Sequence, residues 1–314
     1  MLEIAPLNSE ISEAPENGTA YWTHAADWVR LRVALWKSDT PQKGSVLLFP
    51  GRTEYIEKYG RTLSDLQNSG FTTLVIDWRG QGLADRACDD PMKGHVDQFS
   101  DYHKDVAAMI EAAEMLHLPR PWYLIGHSLG ACIGLRAIQE GLPVSACAFT
   151  SPMWGIQLPP VQRLAVWPFS WAALALGKVK AYAPGTDGTS YVMNTAFVDN
   201  RLTNDPEMYQ YYIRQIKALP EYQLGGPTIG WLYQTLKELG TLSKTQSPDL
   251  PCLTFCGEQD VVVDLSAINA RLSKWPEAKR VAIPNAKHDI FSEIPQIRKD
   301  VVNKMCAFFE EVGG

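Results

Sequence analysis

The sequence predicts an α/β fold, with a mostly parallel central sheet flanked by helices and interrupted once by a mainly helical cap insertion. Three observations carry this. Short apolar runs of strand length alternate with longer segments of helical spacing. A serine bracketed by glycines stands where one such strand meets a helix, and the alternation stops after Pro152 and resumes near Leu250. In chain order, Asp27 to Ser38 reads as an early strand and Ser45 to Phe49 as the next. Lys58 to Ser69 has helical spacing and stops at Gly70, a residue that accepts the left-handed conformation of a helix end. Thr72 to Asp77 is a run of the kind buried in parallel sheets, Phe99 to His117 a long helix, Trp122 to Ile125 a strand, and Val144 to Thr150 the last strand of the first half. Pro251 to Gly257 and Lys279 to Pro284 supply strands to the second half. Residues 1–151 and 246–314 are therefore assigned to the core and 152–245 to the cap. No internal repeat or low-complexity tract is present.

Gly126-His127-Ser128-Leu129-Gly130 lies between the strand Trp122 to Ile125 and the helix-like Ala131 to Ile138. A serine at such a turn has a strained backbone, and larger residues at the glycines would meet the neighbouring strand and helix. The turn lifts the Ser128 hydroxyl above the sheet edge, and the Leu129 amide at the helix start is placed to donate to a developing oxyanion. Serine is a poor nucleophile at neutral pH, so this reading requires a histidine base and an acid to orient it. Asp260 follows the strand Pro251 to Gly257, at the sheet end where catalytic groups gather. His288 stands near the tip of the loop Asn285 to Asp289. The order Ser128, Asp260, His288 is that of α/β hydrolases, unlike the chymotrypsin or subtilisin orders. Taken singly, Asp260 also reads as a helix cap and His288 as a solvated histidine.

Asp289 is the reserve for the acid, and with Glu293 it is a candidate support for the histidine loop. His127 points away from the nucleophile and reads as a packing residue; His24, His103 and His117 read as surface or helix-end residues, and His95 as a structural hydrogen-bonding residue. No histidine, cysteine and carboxylate group has metal-ligand spacing, so neither a metal nor another cofactor is expected.

A second oxyanion donor in this architecture comes from the loop after the strand preceding the first core helix, here Pro50 to Tyr55. That loop is similar to the His-Gly-x-Gly-Glu loop of monoacylglycerol lipases, with Pro50 in place of the histidine and Thr53 of the second glycine. The chain resembles the bacterial lysophospholipases of the same superfamily more closely. Pro50-Gly51-Arg52-Thr53-Glu54-Tyr55, Asp77-Trp78-Arg79-Gly80-Gln81-Gly82, Gly94-His95-Val96, Phe99-Ser100-Asp101-Tyr102 and Gly225-Gly226-Pro227-Thr228 carry the likeness, which spans roughly residues 25 to 310. By position, the resemblance implies the Arg52 amide as the second donor. The Arg52 side chain is then free to meet a polar head group.

With 314 residues, 46% hydrophobic and 20% charged, the chain has the composition of a soluble globular protein large enough for one α/β domain and an insertion. A formal charge of −6 argues against nucleic acid as a partner. The cysteines, Cys88, Cys132, Cys147, Cys252, Cys256 and Cys306, mostly occupy apolar settings and read as reduced thiols. The first residues lack the basic start and long apolar core of a signal peptide, so a cytoplasmic protein is expected, with peripheral contact at the inner membrane face left open.

The most apolar part of the insertion, Leu164 to Leu176, is too short to cross a bilayer as a helix. It reads either as a cap helix packed on the core or as a lip, with Trp167 and Trp171 lining an acyl-chain tunnel or dipping into a membrane surface. The expected function is a serine hydrolase that cleaves the carboxylic ester of a lysophospholipid or monoacylglycerol through an acyl-enzyme. The alternatives are a general carboxylesterase, a proline-type aminopeptidase, and more remotely a non-catalytic binding protein on this fold. Oligomeric state, head group and acyl length are left open.

Overall fold

The computed structural model describes residues 2–38, 42–157 and 160–313. Chain order gives β1 (Glu3–Ala5), α1 (Ser9–Ser12), β2 (Thr19–His24), β3 (Arg30–Trp36) and β4 (Ser45–Phe49). A 3-10 turn over Ile56–Tyr59 runs into α2 (Gly60–Asn68), followed by β5 (Thr72–Asp77), α3 (Asp101–Met115), β6 (Trp122–His127), α4 (Leu129–Gln139) and β7 (Ala146–Thr150). Between β7 and β8 (Cys252–Gly257) lie α5 (Pro160–Ala175), α6 (Tyr191–Asn194), α7 (Pro206–Ala218) and α8 (Ile229–Leu242). The remaining elements are α9 (Leu265–Leu272), β9 (Ala278–Ile283) and α10 (Pro295–Gly313).

The strands form one sheet in the order β1-β2-β3-β5-β4-β6-β7-β8-β9. From β5 through β9 the pairing is parallel, while β1, β2 and β3 join it antiparallel. The mostly parallel sheet agrees with the sequence reading, but β1 and β2 do not appear in that reading. β1 has three residues, and β2 carries half-buried Tyr21 and Trp22 in succession, so neither shows the period-two alternation that marks a strand.

Alternate residues of the inner strands feed two separate cores. Leu47 and Phe49 of β4 pack with Met109 of α3 and Ile133 of α4 on one face. Val46 and Leu48 pack with Leu63 of α2 and Phe309 of α10 on the other. β4 has β5 on one side and β6 on the other, so the chain reverses its winding direction at β4. Loops leaving the C-terminal ends of β4 and β6 diverge at such a switch point and open a crevice between them. Phe49 and Gly126 are register partners there, which puts the Pro50 loop beside Ser128.

Arg32, on β3, is buried between two carboxylates: Nε donates to Asp77 Oδ2 at 2.8 Å and Nη2 to Glu57 Oε2 at 2.6 Å. The same Asp77 accepts the amides of Ile56 and Leu83, so the group ties two strands to the turn that precedes α2. Removing one partner of a buried ion group leaves uncompensated charge in the interior. Arg32→Met is expected to cost about 3–5 kcal/mol, read as a lower urea midpoint with an unchanged slope.

Candidate active site

Ser128 lies between β6 and α4 with φ 50° and ψ −111°, a conformation that its neighbours enforce. Its amide donates to the Thr150 carbonyl at 3.0 Å, and its carbonyl accepts from the Met153 amide at 3.0 Å. A methyl group on Gly130 would stand 2.0 Å from the Phe49 carbonyl oxygen, and one on Gly126 would stand 2.9 Å from Ala131 Cα. Both glycines are therefore required by close backbone approach.

The Ser128 Oγ is 2.9 Å from His288 Nε2, and His288 Nδ1 is 2.8 Å from Asp260 Oδ2. All three residues are buried. The second oxygen of Asp260 accepts the amides of Val262 at 2.8 Å and Val263 at 3.3 Å. Burial alone would raise the Asp260 pKa, but the hydrogen bond and charge of His288, helped by those two amides, hold it below the ordinary carboxylate value. An ionised Asp260 fixes Nδ1–H toward itself and leaves Nε2 to accept the serine proton. The His288 loop closes over the end of β8, where a Cβ on Gly257 would lie 2.3 Å from the Lys287 carbonyl. Glu293 holds that loop, accepting the amides of Lys287 at 2.7 Å and Asn204 at 3.0 Å.

The Arg52 and Leu129 amides, the two expected oxyanion donors, donate to no hydrogen bond recorded among the described residues. The loop carrying Arg52 is held on several sides. Trp78 Nε1 donates to the Pro50 carbonyl at 2.9 Å, Gln81 Nε2 donates to the Gly51 carbonyl at 2.9 Å, and the Thr53 amide donates to Gln81 Oε1 at 3.2 Å. The Gly51 amide donates to the Glu54 carboxylate. These contacts brace a loop whose Thr53 has φ 67° without the glycine of the resembling motif.

Behind the serine and histidine lies a buried charge cluster absent from the sequence reading. Lys58 Nζ bonds to Glu54 and, at 2.6 Å, to Asp289 Oδ2. Tyr59 also donates to Glu54, and Tyr212 donates to Asp289 at 2.7 Å. Burial would raise the Asp289 pKa, but Lys58 dominates and holds it well below the carboxylate range. Asp289 is thus engaged with Lys58 rather than with the His288 ring. Ligand atoms of Glu54, His127 and Asp289 lie within 4.8 Å of one another; the Lys58 ammonium already brings both carboxylates the positive charge a metal would supply. The sequence signal for this cluster is the four-residue spacing from Glu54 to Lys58 together with an aspartate beside His288.

His127 bonds through Nδ1 to Thr150 Oγ1 at 2.9 Å, and its pKa is lowered by burial. His95 bridges Thr228 and Asp97. His24 and His117 are exposed, and His103 pairs with Glu140 at 3.1 Å. All six cysteines are free.

A cavity of about 480 Å³ reaches Ser128 and His288, with Arg52 on its wall and apolar lining from Met153, Ile156, Leu224 and Val262. Trp167 and Trp171 are not part of that lining. They face outward at 47% and 71% exposure, which corrects the reading of these side chains as tunnel walls. The helix turns this edge away from the cavity, with Trp167 packed edge-on against Tyr233 of α8. The side chains of Leu164, Ala165, Phe169 and Leu174 lie outside the described residues.

Residues 40–295 match the family model described as serine aminopeptidase, S33. The chain belongs to this family. Lysophospholipase L2 of Escherichia coli is 30% identical over 277 residues, covering 84% of this chain and 79% of that protein. The probable lysophospholipase L2 of Haemophilus influenzae is 27% identical over 265 residues, covering 84% and 82%. Among solved structures, a soluble variant of monoglyceride lipase from Saccharomyces cerevisiae superposes with a TM-score of 0.71 at 19% identity, covering 92% of this chain and 94% of that one. A carboxyl esterase from Bacillus coagulans gives 0.76 at 14% identity, covering 96% and 100%. The α/β-hydrolase fold expected from the motifs is thereby shown, and the chain is a serine hydrolase of that fold.

Gly130→Ala is expected to displace the turn, because its methyl would overlap the Phe49 carbonyl. The measurement is the labelling rate of Ser128 by a fluorophosphonate alongside the melting temperature, and both should fall.

Proposed function

We propose that this chain hydrolyses the carboxylic ester of a single-chain lipid, with Ser128 as nucleophile, His288 as general base and acid, and Asp260 as the carboxylate that orients it. The observation that carries this is the Ser128–His288–Asp260 hydrogen-bond relay opening onto a cavity with apolar walls. Ser128 Oγ attacks the acyl carbonyl as its proton passes to His288 Nε2, and the amides of Leu129 and Arg52 take the charge that develops on the carbonyl oxygen. His288 then protonates the leaving alcohol. Water, activated by the same imidazole, releases the fatty acid from the acyl-enzyme. The names of the relatives, lysophospholipase and monoglyceride lipase, support a lipid ester as substrate.

The family description names an aminopeptidase, but the cavity disfavours one. Capture of a free substrate ammonium needs a carboxylate with oxygens open to the cavity, and the two carboxylates on its wall, Glu54 and Asp289, are turned to Lys58 and to the hydroxyls of Tyr59, Tyr212 and Ser292. Residues 152–245 serve as a cap whose segments contribute Met153, Val192 and Leu224 to the cavity wall. Among the described residues no helix is long and apolar enough to cross a membrane. Contact with a lipid surface is instead assigned to α5, where Trp167 and Trp171 are exposed one turn apart on the same face, with exposed Leu176 just past its end.

Ser128→Ala and His288→Ala are each expected to lower kcat/KM on a long-chain lipid ester by about three orders of magnitude or more, and Asp260→Asn by somewhat less. Melting temperatures should be nearly unchanged. A near-normal rate for Asp260→Asn would remove Asp260 from the relay. A second test concerns α5: Trp167→Ser with Trp171→Ser should weaken co-sedimentation with phospholipid vesicles while sparing turnover of a dissolved butyryl ester. Equal vesicle binding by the two proteins would remove α5 from the lipid contact.

A further inference from the structure

The buried arginines divide sharply by what neutralises them. Arg32 has Glu57 and Asp77, Arg79 has Asp27 and Asp105, and Arg298 has Asp65. Arg271 has no carboxylate, but it bonds to the Leu242 and Thr245 carbonyls at the end of α8 and to Ser247 Oγ. Arg52 is different. Its recorded hydrogen bond is a single one, from Nη2 to the Gly225 carbonyl at 2.8 Å, while Nε is buried without a partner. No carboxylate pairs with it among the described residues.

The guanidinium is nevertheless held in place. It stacks on Trp231, with Cζ 5.1 Å from the ring centroid, and the Trp231 ring is itself fixed by donation to the Tyr102 hydroxyl at 3.1 Å. Gly94 leaves the space it occupies, since a Cβ there would stand 2.3 Å from Nη2. A desolvated cation that is positioned but uncompensated is costly unless an anion joins it. The burial that strips its water lowers its pKa to about 10, so it stays charged near neutral pH. Glu54 and Asp289 are both turned toward Lys58, so Arg52 is a guanidinium on the cavity wall that neither of these carboxylates pairs with.

We propose that Arg52 is the phosphate receptor of this cavity, and that the preferred substrate is a single-chain lipid with a phosphodiester head group rather than a neutral glyceride. This rests on the lipid-ester reading above. The geometry suits it, because the backbone amide of the same residue is the proposed donor to the acyl carbonyl. A guanidinium one side-chain length from that amide has about the reach of the glycerol that separates ester from phosphate in such a lipid. Its planar fork matches two phosphate oxygens.

The experiment compares kcat/KM for palmitoyl lysophosphatidylcholine and monopalmitoylglycerol in the same neutral detergent micelles, using the wild type, Arg52→Gln, Arg52→Lys and Gly94→Ala. The wild type should favour the phospholipid. The ratio of the two values should fall about tenfold or more in Arg52→Gln, fall also in Gly94→Ala, and recover in part in Arg52→Lys. A merely structural role would lower both rates and leave the ratio in place. A wild type that prefers the glyceride, or an unchanged ratio in a folded Arg52→Gln, overturns the proposal while the lipid-ester reading stands. Hydrolysis of neither lipid by a wild type whose Ser128 reacts with fluorophosphonate overturns both. Should the substitutions prevent folding, a wild type that prefers the glyceride still overturns the proposal.

Discussion

The turn from Glu54 to Tyr59 joins two buried charge clusters, and the geometry around Ser128 depends on it. Glu57, on one side, meets Arg32 and through it Asp77, which anchors β3 and β5. Glu54 and Lys58, on the other, meet Asp289, the residue after His288. The backbone carbonyl of Glu57 also accepts from Tyr211 of α7 at 3.1 Å. One short segment therefore fixes the loop bearing Arg52, the loop bearing His288 and a helix of the insertion relative to one another. Buried ion groups add little net stability compared with apolar packing, but an arrangement that leaves one of them unpaired is strongly disfavoured. That penalty selects a single mutual placement for the loops around the serine.

Strain at Ser128 is tolerated for a related reason. A non-glycine residue at φ 50° persists only where its surroundings over-determine it. Here the amide and carbonyl of Ser128 are both hydrogen-bonded to the chain after β6, and α4 packs so close to β4 that Gly130 has no room for a side chain. Close packing of α4 also directs the Leu129 amide toward the crevice that the sheet topology opens between β4 and β6. The positioning of donors before any substrate arrives is what makes electrostatic stabilisation of an oxyanion effective.

Local features were legible in the sequence and non-local ones were not. The turn at Ser128 is written in five consecutive residues, the strand before Asp260 is a nearly continuous apolar run, and the one before His288 ends in Val281-Ala282-Ile283, so their placement at one end of the sheet could be read directly. The Lys58 cluster could not, because the Glu54–Lys58 turn, Asp289 and Tyr212 come from three distant segments that only the fold brings together. Gln81 is a similar case: it donates to the Gly51 and Glu54 carbonyls and accepts from the Thr53 amide, bracing from a distant segment the loop that bears Arg52. The outward facing of Trp167 and Trp171 was illegible because the helix around them is apolar on most sides, with Pro168 between them. A uniformly apolar helix carries no periodic mark of which face meets the core.

The distribution of charge around the cavity follows from the same constraint. Were Glu54 and Asp289 free, they would present negative charge beside the serine and oppose the oxyanion that must form there. Lys58 offsets part of that charge, at the cost of its own hydration, and the Asp260 charge is directed at His288 and two backbone amides. Arg52 adds to the same wall a cation with no carboxylate partner among the described residues. A cation in a site of low polarity interacts more strongly with developing negative charge than it would in water. The field that would hold an anionic head group is therefore also the field that lowers the barrier to attack on the ester beside it.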